Sequence, residues 1–258
     1  MISSDEEFVS AVLSDGAGSK PHSQIGAEEI CHHVSGLVRA SFESLWDQEM
    51  GAAQSMILQS IRERLAAVSH DLVLDLDDLA ATLLFVAIKD DRYIAGNIGD
   101  GIIACQVEEA ATVLCTPRRG EFANETFFVT SGDALSVFEI RKGMLGSISG
   151  FAMMTDGVAS CLYSPRTKLL APAVSTLWRW LEKQPAKVVD QQMLKAIRDL
   201  FQPRTSDDCS LAVLKRISDG AEDSDAPEQR NTRQVLPISR VISLTFDDPE
   251  QLEGVQSL

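Results

Sequence analysis

Stretches that are apolar throughout alternate along the chain with stretches apolar only every third or fourth residue. Glu7 to Ser14 is nearly all apolar, which predicts a short strand covered on both faces. Past a Ser/Pro/His loop the period lengthens. Ile30, Val34, Leu37, Val38 and Leu45 keep helical spacing, with Ser23 as the expected N-cap. A second helix is expected from about Gln54 to Val68, with Ile57, Ile61, Leu65 and Val68 on one stripe. Then the period shortens again. Ala81 to Lys89 predicts a buried strand, Tyr93 to Val107 a strand pair broken at Gly99–Gly101, and Glu125–Thr130 and Gly150–Asp156 further strands. Segments 171–183 and 186–201 predict helices, and Cys209–Ile217 predicts the last core strand. Runs of strands between runs of helices point to an α+β fold with antiparallel sheets rather than βαβ units.

After Ile217 the pattern is lost. Residues 218–234 are polar and charge-rich, which predicts a disordered acidic linker. Val235 to Phe246 regains strand-like alternation, so the tail 235–258 is expected to dock on this domain or on a partner. The predicted organisation is one domain over residues 1–217, then linker, then tail.

Composition narrows the function classes. Of the 258 residues 45% are apolar, enough for a sizeable core. The net charge of −15 argues against nucleic acid or an anionic membrane as partner, since both call for a basic surface. The acidic start "MISSDEEF" lacks the regions of a signal peptide, and no apolar run approaches the roughly 18 residues of a membrane span. A soluble cytoplasmic protein is expected. Five scattered cysteines without CxxC spacing fit reduced thiols.

The candidate chemistry lies where strands meet aspartates. "AVLSDG" ends at Asp15 and "AMMTDG" at Asp156, while Asp207 and Asp208 precede the strand "CSLAVL". A fourth acid, Asp100, sits in "GNIGDG". Each Asp-Gly alone is a favoured turn dipeptide. Together, acids at the mouths of adjacent buried strands would converge at one sheet edge and repel unless a cation lies between them. All-oxygen ligation selects Mg²⁺ or Mn²⁺ rather than zinc. Gly16, with no Cβ, lets its carbonyl approach a metal, and the loop to Gly18 leaves room for a phosphoryl group.

The order "LSDGAGSKPHSQIGA", "ATLLFVAI", "NIGDGIIA", "GEFANETFFVT", "FAMMTDG" and "SDDCSLAVL" resembles the metal-dependent protein phosphatase 2C family, in particular its bacterial branch, over residues 7–217. The resemblance implies a four-layer α-β-β-α sandwich of two antiparallel sheets flanked by helices. It implies a serine/threonine protein phosphatase holding two Mg²⁺ or Mn²⁺ ions, with a weaker third. Asp15 would bridge both ions, the Gly16 carbonyl would hold one, and Asp156 and Asp207 would ligate the first, with Asp208 the second choice for Asp207. Asp100 matches a mainly structural turn. Glu121 and Glu125 are the candidates for the third ion. Phosphoserine and phosphothreonine would be hydrolysed by a hydroxide shared by two ions about 3.5–4 Å apart, whose pKa falls toward about 7. The implied partners are a phosphorylated protein and its cognate kinase, in bacterial signalling.

The sequence also departs from that pattern. Relatives carry a further strand before the Asp15 strand, and here only "MISSDEE" stands there, so the first sheet edge is expected to be bare and one acidic ligand absent. That leaves a second reading open: a weak or inactive phosphatase-like regulatory or binding module with an incomplete metal site. His22 is set against a solvated loop residue, His32 and His33 against packing on the first helix, and Arg118 and Arg119 against a solvated turn. Of Trp178 and Trp180, one is expected in the core and the other at a surface.

Overall fold

The structure, a computed structural model, describes residues 1–4, 7–118, 126–205 and 207–216 and the backbone of 238–246. The chain opens with β1 (Ile2–Ser4) and β2 (Phe8–Leu13), then α1 (Ser23–Ala40), α2 (Phe42–Asp47) and α3 (Met50–Leu72). Next come β3 (Leu83–Lys89), β4 (Arg92–Ile98), β5 (Ile102–Val107), β6 (Ala110–Cys115), the short α4 (Ala134–Val137), β7 (Glu139–Met144) and β8 (Ile148–Met154). The last part holds α5 (Asp156–Leu162), a small hairpin of β9 (Tyr163–Ser164) and β10 (Leu169–Leu170), α6 (Pro172–Lys183), α7 (Ala186–Ala196), β11 (Cys209–Arg216) and β12 (Ile238–Phe246).

Two five-stranded sheets carry the architecture, in the orders β1-β2-β3-β4-β7 and β12-β11-β8-β5-β6. Every ladder in them is antiparallel. The two-residue period of β3 shows why its sequence is apolar throughout. Leu83, Phe85 and Ala87 pack under α1 and α3, while Leu84, Val86 and Ile88 face the other sheet. In the second sheet Ala104, Ala152 and Val213 lie under α5, α6 and α7, whereas Ile103, Phe151 and Leu214 face inward. Three apolar layers between four layers of backbone give the α-β-β-α sandwich that the resemblance implied. Trp178 lies fully in the layer under the helices and its indole N–H donates to the Phe151 carbonyl at 3.1 Å, while Trp180 packs half-buried beside it. Among the described residues no helix is long and apolar enough to cross a membrane, and all five cysteines are free.

One contact fixes how α1 sits on the short turn Leu76–Leu79. A Cβ built on Gly26 would stand 2.0 Å from the Leu79 carbonyl oxygen. Backbone cannot retreat cheaply, so Gly26→Ala forces the helix off its seat. Overpacking of this kind costs about 3 kcal/mol, and thermal unfolding followed by circular dichroism should show a midpoint lower by about 5–10 °C.

Several elements differ from the sequence reading. The segment Tyr93–Val107 is not a strand pair: β4 joins β3 and β7 in one sheet, and β5 joins β6 and β8 in the other. Gly99–Gly101 carries the chain across, which places Asp100 at the end of both sheets. Residues 126–130 form an isolated bridge and a turn rather than a strand, and Glu121 and Glu125 lie outside the described residues. The strands β6 and β7 were not foreseen, because "EIRKGM" is polar and half-exposed and "AATVLC" borders the sheet. The second long helix runs further at both ends, Met50–Leu72. Ser23 begins α1 without capping it, since its hydroxyl donates to the Lys20 carbonyl at 3.1 Å. The first edge is not bare: Ile2 pairs with Ala11 and Ser4 with Val9 along β2. Of the tail, Ile238–Phe246 pairs with β11 in the second sheet, with Phe246 opposite Cys209 and Arg216 opposite Ile238, and the rest of 235–258 lies outside the described residues. The expected linker 218–234 lies outside the described residues.

Candidate metal centre

Four strand ends of the two sheets deliver the aspartates to one cleft. Asp15 follows β2, and its backbone is tied to the neighbouring strand from both sides. Its N–H donates to the Thr82 hydroxyl at 3.0 Å, and its carbonyl accepts from the Thr82 N–H at 2.9 Å. The Ser14 hydroxyl donates to the Thr82 carbonyl at 2.6 Å, and Gly16 bridges Ala81. The loop that carries Asp15 and Gly16 is thereby held by residues 80–82 rather than by its own sequence.

Asp156 starts α5 directly after β8, and Asp207 and Asp208 stand just before β11, the neighbour of β8. The buried Thr155 clamps these two ends together. Its N–H donates to the Ser210 carbonyl at 3.1 Å, and its hydroxyl accepts from the Ser210 N–H at 3.1 Å. The same hydroxyl lies 3.3 Å from the Asp208 carbonyl, to which it donates. The approach is close enough that a Cβ on Gly157 would stand 2.3 Å from the Asp208 carbonyl, so only glycine fits after Asp156. Thr205 holds Asp207, donating from its hydroxyl to the carboxylate at 3.3 Å and accepting from the Asp207 N–H at 3.1 Å.

The result is a hollow of about 350 Å³ lined by Asp15, Gly16, Gly18, Asp100, Asp156, Asp207 and Asp208, with Thr82 and Thr126 beside them. All five expected residues, Asp15, Gly16, Asp156, Asp207 and Asp208, therefore meet in one place. Asp100, set aside as a structural turn, lines the same hollow, 7% exposed, and accepts a hydrogen bond from the Thr126 hydroxyl at 2.9 Å. Its signal was present in the sequence, as the fourth aspartate flanked by glycines. The histidines stand apart from this hollow: His33 meets Ser60 on α3 at 2.8 Å, and neither His22 nor His32 is among the lining residues. Arg118 is exposed and its backbone N–H donates to the Gly99 carbonyl at 2.8 Å, while Arg119 lies outside the described residues.

The electrostatics are those of a carboxylate cluster. Burial pushes Asp15 up to about 8, and the charges of Asp156, Asp208 and Asp100 and a hydrogen bond with Asp156 push in the same direction. Asp156 is raised as well, first by burial and then by the charges of Asp100 and Asp207. Asp15 and Asp156 thus each favour the protonated form more than a free carboxyl does. Among the described residues, no three carboxylates, imidazoles or thiols stand close enough to enclose an ion as they are placed. The donor set still fits a hard divalent cation. It is all oxygen, it is partly buried, and a cation would offset the mutual repulsion that raises Asp15 and Asp156.

Comparison with known proteins agrees with this geometry. The profile of a family described as "Protein phosphatase 2C" matches residues 2–198. Over 161 residues the chain is 30% identical to serine/threonine-protein phosphatase 3 of Escherichia coli (strain K12), across 61% of this chain and 62% of that protein. The aligned part thus spans less than two thirds of that relative. A crystal structure of a bacterial serine phosphatase superposes with a TM-score of 0.55 at 12% identity, covering 80% of this chain and 85% of the other. The serine/threonine phosphatase Stp1 from Staphylococcus aureus superposes with a TM-score of 0.53 at 13% identity, covering 83% and 86%. At these identities the two structures speak for the fold.

Proposed function

We propose that this chain, which belongs to the protein phosphatase 2C family, hydrolyses phosphoserine and phosphothreonine in proteins with Mg²⁺ or Mn²⁺ held by its aspartate cluster. The observation that carries the reading is the pair Asp15 and Asp156, brought together in one partly buried hollow, raised together and joined there by Asp100, Asp207 and Asp208.

In this reading Asp15, Asp156 and Asp207 hold the ions, with the Gly16 carbonyl completing one site and Asp208 and Asp100 flanking. Asp207 and Asp208 both line the hollow beside Asp15 and Asp156. Bound divalent cations supply Lewis acidity and make water nucleophilic near neutral pH, so no protein nucleophile is required. The chain's own work is positioning. Thr82 and Thr155 fix the strand ends that carry the acids, and the open Gly18, with no atom near its Cβ position, leaves clearance for a phosphoryl group. The substrates would be proteins phosphorylated by a serine/threonine kinase.

The test is direct. Purified chain should release phosphate from a phosphothreonine peptide and from p-nitrophenyl phosphate in Mn²⁺, stop in EDTA and resume when Mn²⁺ is restored. A folded protein that is inert toward both substrates in excess Mn²⁺ and in excess Mg²⁺ would sink the reading.

A further inference from the structure

Beside the carboxylate hollow lies a larger one, of about 550 Å³, that shares Asp100 and Asp156 with it. Its character differs. Ile102, Ala159 and Pro117 line it together with Tyr163, Pro165 and Lys168 of the β9–β10 hairpin. The first hollow is acidic, whereas this one is mainly apolar, and among the described residues Lys168 is the one cation that lines it.

That cation stands in an unusual backbone. Lys168 has φ of 57°, in the left-handed region where glycine or asparagine is the easier residue. The hairpin imposes it, since the Lys168 N–H closes the turn on the Ser164 carbonyl at 2.8 Å and Leu169 pairs with Ser164. A long basic side chain is therefore kept where the backbone would favour a short one. Lys168 is exposed and enters no ion pair among the described residues.

We propose that this second hollow holds the substrate residues flanking the phosphorylated side chain, and that Lys168 selects substrates with an acidic residue there. The inference rests on the phosphatase reading and adds to it a substrate class: phosphoproteins whose phosphorylated residue lies in an acidic, partly apolar segment. Continuity supplies the first argument, because the two hollows share Asp100 and Asp156, so a chain whose phosphoryl group reaches Asp15 and Asp156 has this hollow directly beside it. Charge supplies the second. In a chain of net charge −15 an acidic peptide is repelled almost everywhere, and Lys168 gives it a landing point beside the reacting group.

Phosphothreonine peptides that differ only in a Glu or a Lys walked through the flanking positions test it. At one flanking position wild-type kcat/KM should favour Glu over Lys about five-fold at low salt, the size of an exposed ion pair, and the preference should shrink in high salt. Lys168→Glu should invert that ratio. Ser160→Trp, which places an indole in the hollow, should lower the ratio of peptide to p-nitrophenyl phosphate turnover. A wild type that is active but indifferent to the flanking charge overturns the inference, as does a Glu preference that Lys168→Glu leaves unchanged. A peptide ratio unmoved by Ser160→Trp also overturns it. A folded wild type inert even toward p-nitrophenyl phosphate would instead bring down the phosphatase reading, and this inference with it.

Discussion

Asp15→Asn should lower metal-dependent turnover by on the order of 10³-fold while making the metal-free protein more stable at alkaline pH. Both effects have one cause. The Asp15 carboxylate is partly buried and faces Asp156, Asp208 and Asp100, so its charge is unfavourable until a cation offsets it. An amide has nearly the same shape and keeps the backbone bonds to Thr82, but it carries no charge to attract or hold an ion. In EDTA at pH 9 the variant should melt above the wild type. With Mn²⁺ the order should reverse, because only the wild type gains binding energy from the ion. Asp71→Asn, on the exposed end of α3, should change neither quantity. A variant that keeps a tenth of wild-type activity would remove Asp15 from the metal centre.

Stability of the metal-free wild type should fall as pH rises from about 4 to above 8. Asp15 has a folded value of about 8 against an ordinary value of 3.8, and Asp156 shifts in the same direction. Across that window the native state binds more protons than the unfolded chain, so each step up in pH favours unfolding. The contribution is complete below the ordinary carboxylate value and gone above the raised one. Melting curves in EDTA at intervals of pH should therefore decline through neutrality, contrary to the acid lability expected of carboxylates in ion pairs. Saturating Mn²⁺ should flatten the decline. A metal-free melting temperature that rises between pH 6 and 9 would show that the cluster is not strained by its own charge.

Much of this was legible from strand grammar alone. β2, β3, β8 and β11 are apolar along most of their length because each is largely buried on both faces, and such runs stand out in a sequence of ordinary composition. The aspartates at their ends follow from the same reading, since a strand that stops at an acid must leave the core there. Sheet membership was not legible. Gly99–Asp100–Gly101 reads as a hairpin turn, and only pairing partners reveal it as a crossing between sheets; Asp100 itself was set aside because it matches a turn that the family resemblance makes mainly structural. The border strands β6 and β7 escaped because half-exposed strands lack a continuous apolar signal. Thr82 and Thr155 escaped for a different reason. Their role lies in hydroxyl bonds to residues 67 and 55 positions away, and no local pattern marks such a partner. The inert-module reading was motivated by a bare first edge, and Ile2–Ser4 lies along that edge.

The docked C-terminal strand reaches beyond the architecture. With β12 in place β11 is an interior strand, paired from Cys209 to Arg216 on one side and from Leu211 to Lys215 on the other. Without β12, one row of β11 backbone donors and acceptors would face water in a strand that is apolar along most of its length, the kind of border that templates aggregation. That strand also follows directly on Asp207 and Asp208. Colloidal behaviour and the geometry of the metal centre therefore depend on the same backbone ladder, and a change that frees the tail would surface first as insolubility, before any loss of turnover could be measured.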